Sequence, residues 1–270
     1  MKLNVVPART GFAWFREGVR TFWRQPLALA GLFFMFISIM SVASLIPYVG
    51  SVVALALLPA ATLGLMAATR EAAQGRFPMP SILISAFRAG QQRARAMLVL
   101  GALYAASFLL VMGASALVDG GSFAKLYLVG GTLTPELVQA PEFQGAMWLA
   151  MALYLPLSMM FWHAPALVHW HDVSPVKSLF FSLVACTRNV GALTLYSLAW
   201  IGLFMGAAMV LMLLSGVLGQ PGLLGILMYP SAMLLAAMFF SSIWFTFRDS
   251  FVAQDEPPAA ASGSEPPATP

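Results

Sequence analysis

The chain has 270 residues, of which 60% are hydrophobic and only 9% charged, where a soluble domain carries about a quarter of charged residues. With a mean hydropathy of +0.84 and a single cysteine, Cys186, this excludes a soluble globular domain, a disordered chain and a disulfide-stapled secreted domain. The net charge of +4 would suggest a nucleic-acid partner in a soluble protein. In so apolar a chain nucleic acid is set aside, and Lys and Arg read as orientation signals and lipid-headgroup contacts.

The apolar runs are continuous rather than alternating, which excludes a transmembrane barrel and predicts an all-α, polytopic helix bundle. In chain order, residues 11–24 predict an amphipathic helix lying on the membrane surface. Phe12, Phe15, Val19 and Phe22 make one face, Arg16, Glu17, Arg20 and Arg24 the other, and Thr10 stands where a helix cap is expected. A crossing needs about 20 mostly apolar residues. The first two candidates are 27–46 and 48–68, separated by a tight turn at Pro47 and Gly50. Ser41-Val42-Ala43 offers small residues suited to a cleavage site. The segment ahead of the apolar run is itself patterned and unlike the short basic start of a signal peptide, so the first span is expected to be retained.

A second amphipathic stretch, 81–95, follows Pro78-Met79-Pro80. Ser81, Ser85, Arg88, Gln92 and Arg95 form its polar line, opposite Ile82, Leu83, Ala86, Phe87 and Gly90. The third span is 97–118. The outer loop 119–144 is too short for a domain, and Thr134 can cap a brief helix starting at Pro135. The fourth span is 145–168. A third elbow opens at Ser174-Pro175, is apolar around most of its girth and is expected to lie deeper, against the bundle. Spans five and six, 190–218 and 223–247, are joined by Gly219-Gln220-Pro221-Gly222. Residues 1–250 thus form one membrane domain of six spans, with elbow helices before spans one, three and five. The tail 253–270, rich in Pro, Ala and acids, cannot bury a core and is expected to be disordered.

Placing the N-terminus inside puts all but one of the 14 Lys and Arg on the inner side, and only Lys125 outside. That asymmetry predicts cytoplasmic N- and C-termini. The elbow-and-hairpin layout reads either as three copies of one unit or as what any chain acquires when its charge lies on one side.

The spans hold almost nothing that titrates. As drawn they contain no Asp, Glu, Lys or Arg, and His163 near the inner end of the fourth is the exception among titratable side chains. Coupled carriers place such groups along their ion paths, so a carboxylate-driven carrier is not expected. The hydroxyls in the spans read as helix-to-helix hydrogen bonds, and Gly202 and Gly206 as internal packing. His163, His169 and His171 fall close together with Asp172. A metal would require side chains to converge that one straight helix keeps apart; the competing reading is a wet interfacial cap flanked by Trp162 and Trp170. Nucleophile-elbow, phosphate-loop and zinc-protease motifs are all missing. No enzyme, cofactor or metal is expected.

The stretch Ala164-Pro165-Ala166-Leu167-Val168, then Pro175, Ser182, Cys186 and Arg188-Asn189, resembles a family of proteobacterial six-helix inner-membrane proteins without an assigned activity. The resemblance implies the fold and the compartment and brings no functional residues. Two functions follow as expectations. One is a structural or membrane-organising protein with membrane lipids, anionic ones included, or other membrane proteins as partners. Arg16, Arg20, Arg24, Arg88 and Arg95 would be its headgroup contacts, since the first three recur every four residues and the last two lie seven apart. The alternative is a permease or flippase for a neutral or amphipathic molecule, suggested by the repeat-like layout and by Pro59, Pro156 and Pro230 within spans.

Overall fold

The computed structural model describes residues 2–46 and 49–252. The expected turn at Pro47 and the tail 253–270 lie outside the described residues. A strand β1 (Lys2–Leu3) leads to α1 (Thr10–Arg24), α2 (Pro26–Ser44) and α3 (Gly50–Ala73). A 3-10 turn (Pro80–Ile84) and α4 (Ser85–Arg88) precede α5 (Gln91–Asp119). Two short helices, α6 (Ser122–Val129) and α7 (Pro135–Gln139), lead to α8 (Pro141–Trp162), α9 (Ala164–His171) and α10 (Pro175–Arg188). The chain closes with α11 (Val190–Val217), α12 (Pro221–Ser250) and β2 (Phe251–Val252). Among the described residues six helical segments are long and apolar enough to cross a membrane: α2, α3, α5, α8 with α9, α11 and α12. β1 and β2 pair antiparallel, Lys2 opposite Val252 and Leu3 opposite Phe251. This clasp holds the two ends at one side of the bundle, as an even number of crossings requires. We call that side the termini end and the other the far end.

Two cores share a seam. One, from α3, α5, α8 and α9, contains Leu63, Met66, Leu100, Phe108, Phe161 and Leu167. The other, from α1, α2, α11 and α12, contains Trp14, Phe22, Phe33, Tyr196, Trp200 and Phe245. Trp162, Phe239, Phe240 and Trp244 pack against both.

The elbows differ from expectation in instructive ways. α1 is a helix, and its packing face only partly coincides with the phenylalanine stripe: Phe22 is buried and Phe15 and Val19 are partly buried against the second core. Gly11, Trp14, Gly18, Thr21 and Phe22 are buried, whereas Phe12 is exposed. In lipid an apolar stripe does not need protein to cover it, and small residues decide where backbones can approach. A Cβ on Gly18 would fall on Ser242 of α12, and one on Gly11 on the Ala192 carbonyl of α11. Thr10 is the first helical residue rather than a cap.

The second elbow is not one helix over 81–95. Gly90 adopts φ +103°, which ends α4 after a single turn, and Gln91–Arg95 already form the start of α5. Glycine is the residue that can turn the chain there without a steric penalty. The third elbow, α10, does sit against the bundle, burying Ser178, Leu179, Ser182, Ala185 and Cys186. In the outer loop Thr134 Oγ1 accepts from the Leu137 N–H at 3.3 Å, capping α7. That loop holds a second helix, α6, which the sequence pattern did not indicate.

Gly202 and Gly206 do not serve internal packing. Among the described residues nothing stands within 4 Å of a Cβ built on either, and only 6% of the most apolar stretch of α11 is buried.

Candidate functional site: a basic cleft at the termini end

α1 lies across α12 so that its polar face and the last turn of α12 enclose a cleft of about 260 Å³. Arg16, Arg20 and Arg24 stand on successive turns along one wall, and Arg248 of α12 faces them. Arg248 is fixed from every side. It donates to Glu17 Oε2 at 2.8 Å and Oε1 at 3.4 Å, and to Asp249 at 2.6 and 3.0 Å. Its guanidinium also lies 5.4 Å from the Trp244 ring centre and 5.1 Å from that of Phe245. Asp249 in turn accepts from Trp14 Nε1 at 2.8 Å. Trp14, Asp249, Arg248 and Glu17 therefore form one network tying α1 to α12. Among the described residues, no carboxylate pairs with Arg16, Arg20 or Arg24. Four guanidiniums thus face two carboxylates, both taken by Arg248. The remaining three charges stand in a row along the open side, an arrangement suited to meeting phosphate-bearing groups.

The structure brings together three of the five arginines singled out from sequence and separates the other two. Arg88 lies in a different cleft, beneath the second elbow. Arg95 is exposed on the first turns of α5. The shared face expected for Arg88 and Arg95 fails because Gly90 breaks the helix between them. Arg248 was missed. It is 231 residues from its partner Glu17, and its place at the end of the last span signals only a charge near the interface.

The residues that carry the family resemblance converge on a helix break. Pro165 lacks an N–H and disfavours helical backbone just before it, and the fourth span breaks at His163. The interrupted bond between His163 N–H and the Met159 carbonyl is bridged by Ser182: its Oγ accepts from His163 N at 2.9 Å and donates to Met159 O at 2.7 Å. Cys186 Sγ approaches the same carbonyl at 3.5 Å, and burial pushes its thiol up to about 12, in keeping with an inert packing role. Asn189 accepts from the Val6 N–H at 2.8 Å and donates to Asn4 O at 3.0 Å, stitching the N-terminal segment to the start of α11. His163 is 1% exposed and pairs with Thr246 Oγ1 at 3.2 Å, so it is a buried helix-break residue and not a wet cap. Among the described residues no three His, Cys, Asp or Glu side chains come together.

Over 258 residues the chain is 42% identical to a protein of Burkholderia thailandensis described as a "probable inner membrane protein"; the match covers 94% of this chain and 96% of that protein. The chain belongs to that family of inner membrane proteins. No protein-family model matches it, and no solved structure does. The resemblance carried by residues 164–189 is thereby borne out, together with the all-α, multi-pass architecture.

The interior of this inner membrane protein contains a further cavity of about 190 Å³. It lies between α3, α5, α8 and α12, where Pro59, Tyr104, Tyr154 and Phe239 contribute to its walls. Three of its four hydroxyl protons are already engaged. Thr62 donates to Leu58 O at 2.9 Å, Ser158 to Leu155 O at 2.8 Å, and Tyr104 and Tyr154 meet at 3.3 Å. The cavity presents mainly aromatic and aliphatic surface to whatever enters.

Proposed function

We propose that this inner membrane protein is a non-catalytic, membrane-organising protein whose termini end faces the cytoplasm and holds anionic lipid headgroups in the α1–α12 cleft. The observation that carries this reading is the row of Arg16, Arg20 and Arg24, unpaired with any described carboxylate, above the immobilised Arg248. Each charge near an anionic leaflet contributes about 1 kcal/mol, reduced by salt. Three such charges on a helix packed into the core would couple the headgroup layer to the bundle itself. The cytoplasmic assignment follows from the distribution of Lys and Arg. Reporter fusions at residue 130 and after β2 should then report opposite sides of the membrane.

The permease alternative draws on the interior cavity and on Pro59 in its wall. A polar substrate would need free donors there, and three of the four hydroxyl protons are instead given to backbone carbonyls of the same helices or to the neighbouring tyrosine. This favours the organising role.

The test compares the parent with Arg16→Gln/Arg20→Gln in mild detergent. Phosphatidylglycerol should raise the parent's unfolding temperature, the gain should shrink in high salt, and the variant should lose most of it. A parent indifferent to the lipid, or a variant that gains as much, would reduce these arginines to insertion signals.

A further inference from the structure

A second cleft, of about 420 Å³, opens beneath the second elbow, between the end of α3, α4 and α9. Arg88, Ser81, Ser85 and His169 line it, beside apolar Phe77 and Ile82. Four buried side-chain polar atoms lack a hydrogen-bond partner among the described residues, and two of them, Ser85 Oγ and His169 Nδ1, belong to this cleft. Such orphaned atoms are costly when buried, and both belong to residues bordering this cleft, where a polar ligand met by a side-chain rotation would satisfy them. Arg88 pairs with no carboxylate among the described residues. The one acid on the wall, Glu71, has both oxygens taken by Arg76, at 2.5 and 2.8 Å, so its charge is largely answered.

We propose that this cleft binds a phosphomonoester. The donors suit three terminal oxygens better than the two of a diester. Arg88 offers a planar fork and the countercharge, Ser81 and Ser85 each an O–H, and His169 an Nδ1–H in one tautomer or when protonated. Phe77 is 65% exposed and, with Ile82, gives an apolar flank at the mouth where a lipid chain or the organic part of a soluble ester would lie. The site is separate from the α1 cleft; it rests on the proposed function only in placing this end of the bundle at the headgroup layer.

Native mass spectrometry of the full chain in mild detergent tests this with three probes: short-chain phosphatidic acid, phosphatidylglycerol of the same chain length, and glycerol phosphate. Phosphatidic acid should bind in preference to phosphatidylglycerol. Ser85→Ala should weaken it about tenfold, as loss of one hydrogen bond to a charged group does, Arg88→Gln should weaken it more because the countercharge goes with the fork, and Ser85→Thr should retain it. Arg16→Gln/Arg20→Gln should leave the monoester preference intact even where it abolishes the phosphatidylglycerol response, so failure of one cleft is distinguishable from failure of the other. Glycerol phosphate binding with the same sensitivity assigns a soluble ester; binding of the lipid alone assigns a lipid headgroup. Equal affinity for monoester and diester, no binding of either monoester, or indifference to both Arg88→Gln and Ser85→Ala would overturn the proposal.

Discussion

The termini end and the far end of α11 belong to one helix and are built on opposite terms. At the termini end Tyr196 is fully buried and shares a 2.5 Å hydrogen bond with Ser242, and the Asn189 side chain bonds the N-terminal backbone. Toward the far end Met205, Met209 and Met212 are each more than half exposed, and Gly202 and Gly206 face open space. Lipid solvates apolar side chains as well as protein does, so hydrophobicity alone does not hold membrane helices together. Close backbone approach and satisfied polar groups do, and along α11 both are found at the termini end, where Gly11 of α1 meets the Ala192 carbonyl.

The sharpest way to break this comparison is to make the same substitution at both places. Gly18→Leu should destabilise by about 3 kcal/mol, since the added side chain meets Ser242 and drives α1 from α12. Gly202→Leu should be neutral or gain up to about 1 kcal/mol from helix propensity. Unfolding titrations in mixed micelles measure both, and equal losses would mean that the far half of α11 is covered after all.

Next in size is Ser182→Ala, which orphans His163 N–H and leaves Met159 O only the weak contact from Cys186 Sγ. A loss of about 2 kcal/mol is expected, above the roughly 0.6 kcal/mol average for interhelical hydrogen bonds in membranes, because one buried backbone group is orphaned and a second loses its stronger partner. Ser215→Ala near the far end breaks a single bond, to Gln220 O at 2.8 Å, and should cost less than half as much. Asn189→Ala should cost about 1.5 kcal/mol, and its loss should be accompanied by faster hydrogen exchange at the Val6 amide. The smallest effect is expected for Thr134→Ala. It removes the α7 cap for at most about 1 kcal/mol, read as local exchange at Leu137 with little change in the global transition.

Much of this architecture is legible in the sequence, and the reasons differ by element. Six apolar runs and one-sided arginines declare the spans because each is a property of contiguous residues. The row Arg16, Arg20, Arg24 is legible because a four-residue spacing needs only a local helix. Arg248 is not, since its meeting with Glu17 depends on how α1 crosses α12. The face of α1 was legible in part, since Phe15, Val19 and Phe22 do pack inward while Phe12 faces out; the rest of the packing face is set by Gly11, Gly18 and Trp14, whose small backbone or indole N–H needs a specific neighbour. Gly90 and Pro165 carried real signals for the two breaks, and reading them first would have shortened the second elbow and divided the fourth span.

The pairing of β1 with β2, and of α1 with α11 and α12, also sets a timetable. A chain emerging from the ribosome at roughly 5–20 residues per second needs on the order of ten to fifty seconds between exposing α1 and delivering α12. Throughout that interval the Trp14 and Phe22 face lacks the partners that α11 and α12 supply. Only when the last helix has inserted can Asp249 reach the Trp14 indole and Asn4 reach the Ser250 carbonyl. A translation product truncated before α12 would keep its amphipathic leader uncovered, a mark by which quality-control proteases could tell an unfinished chain from a completed one.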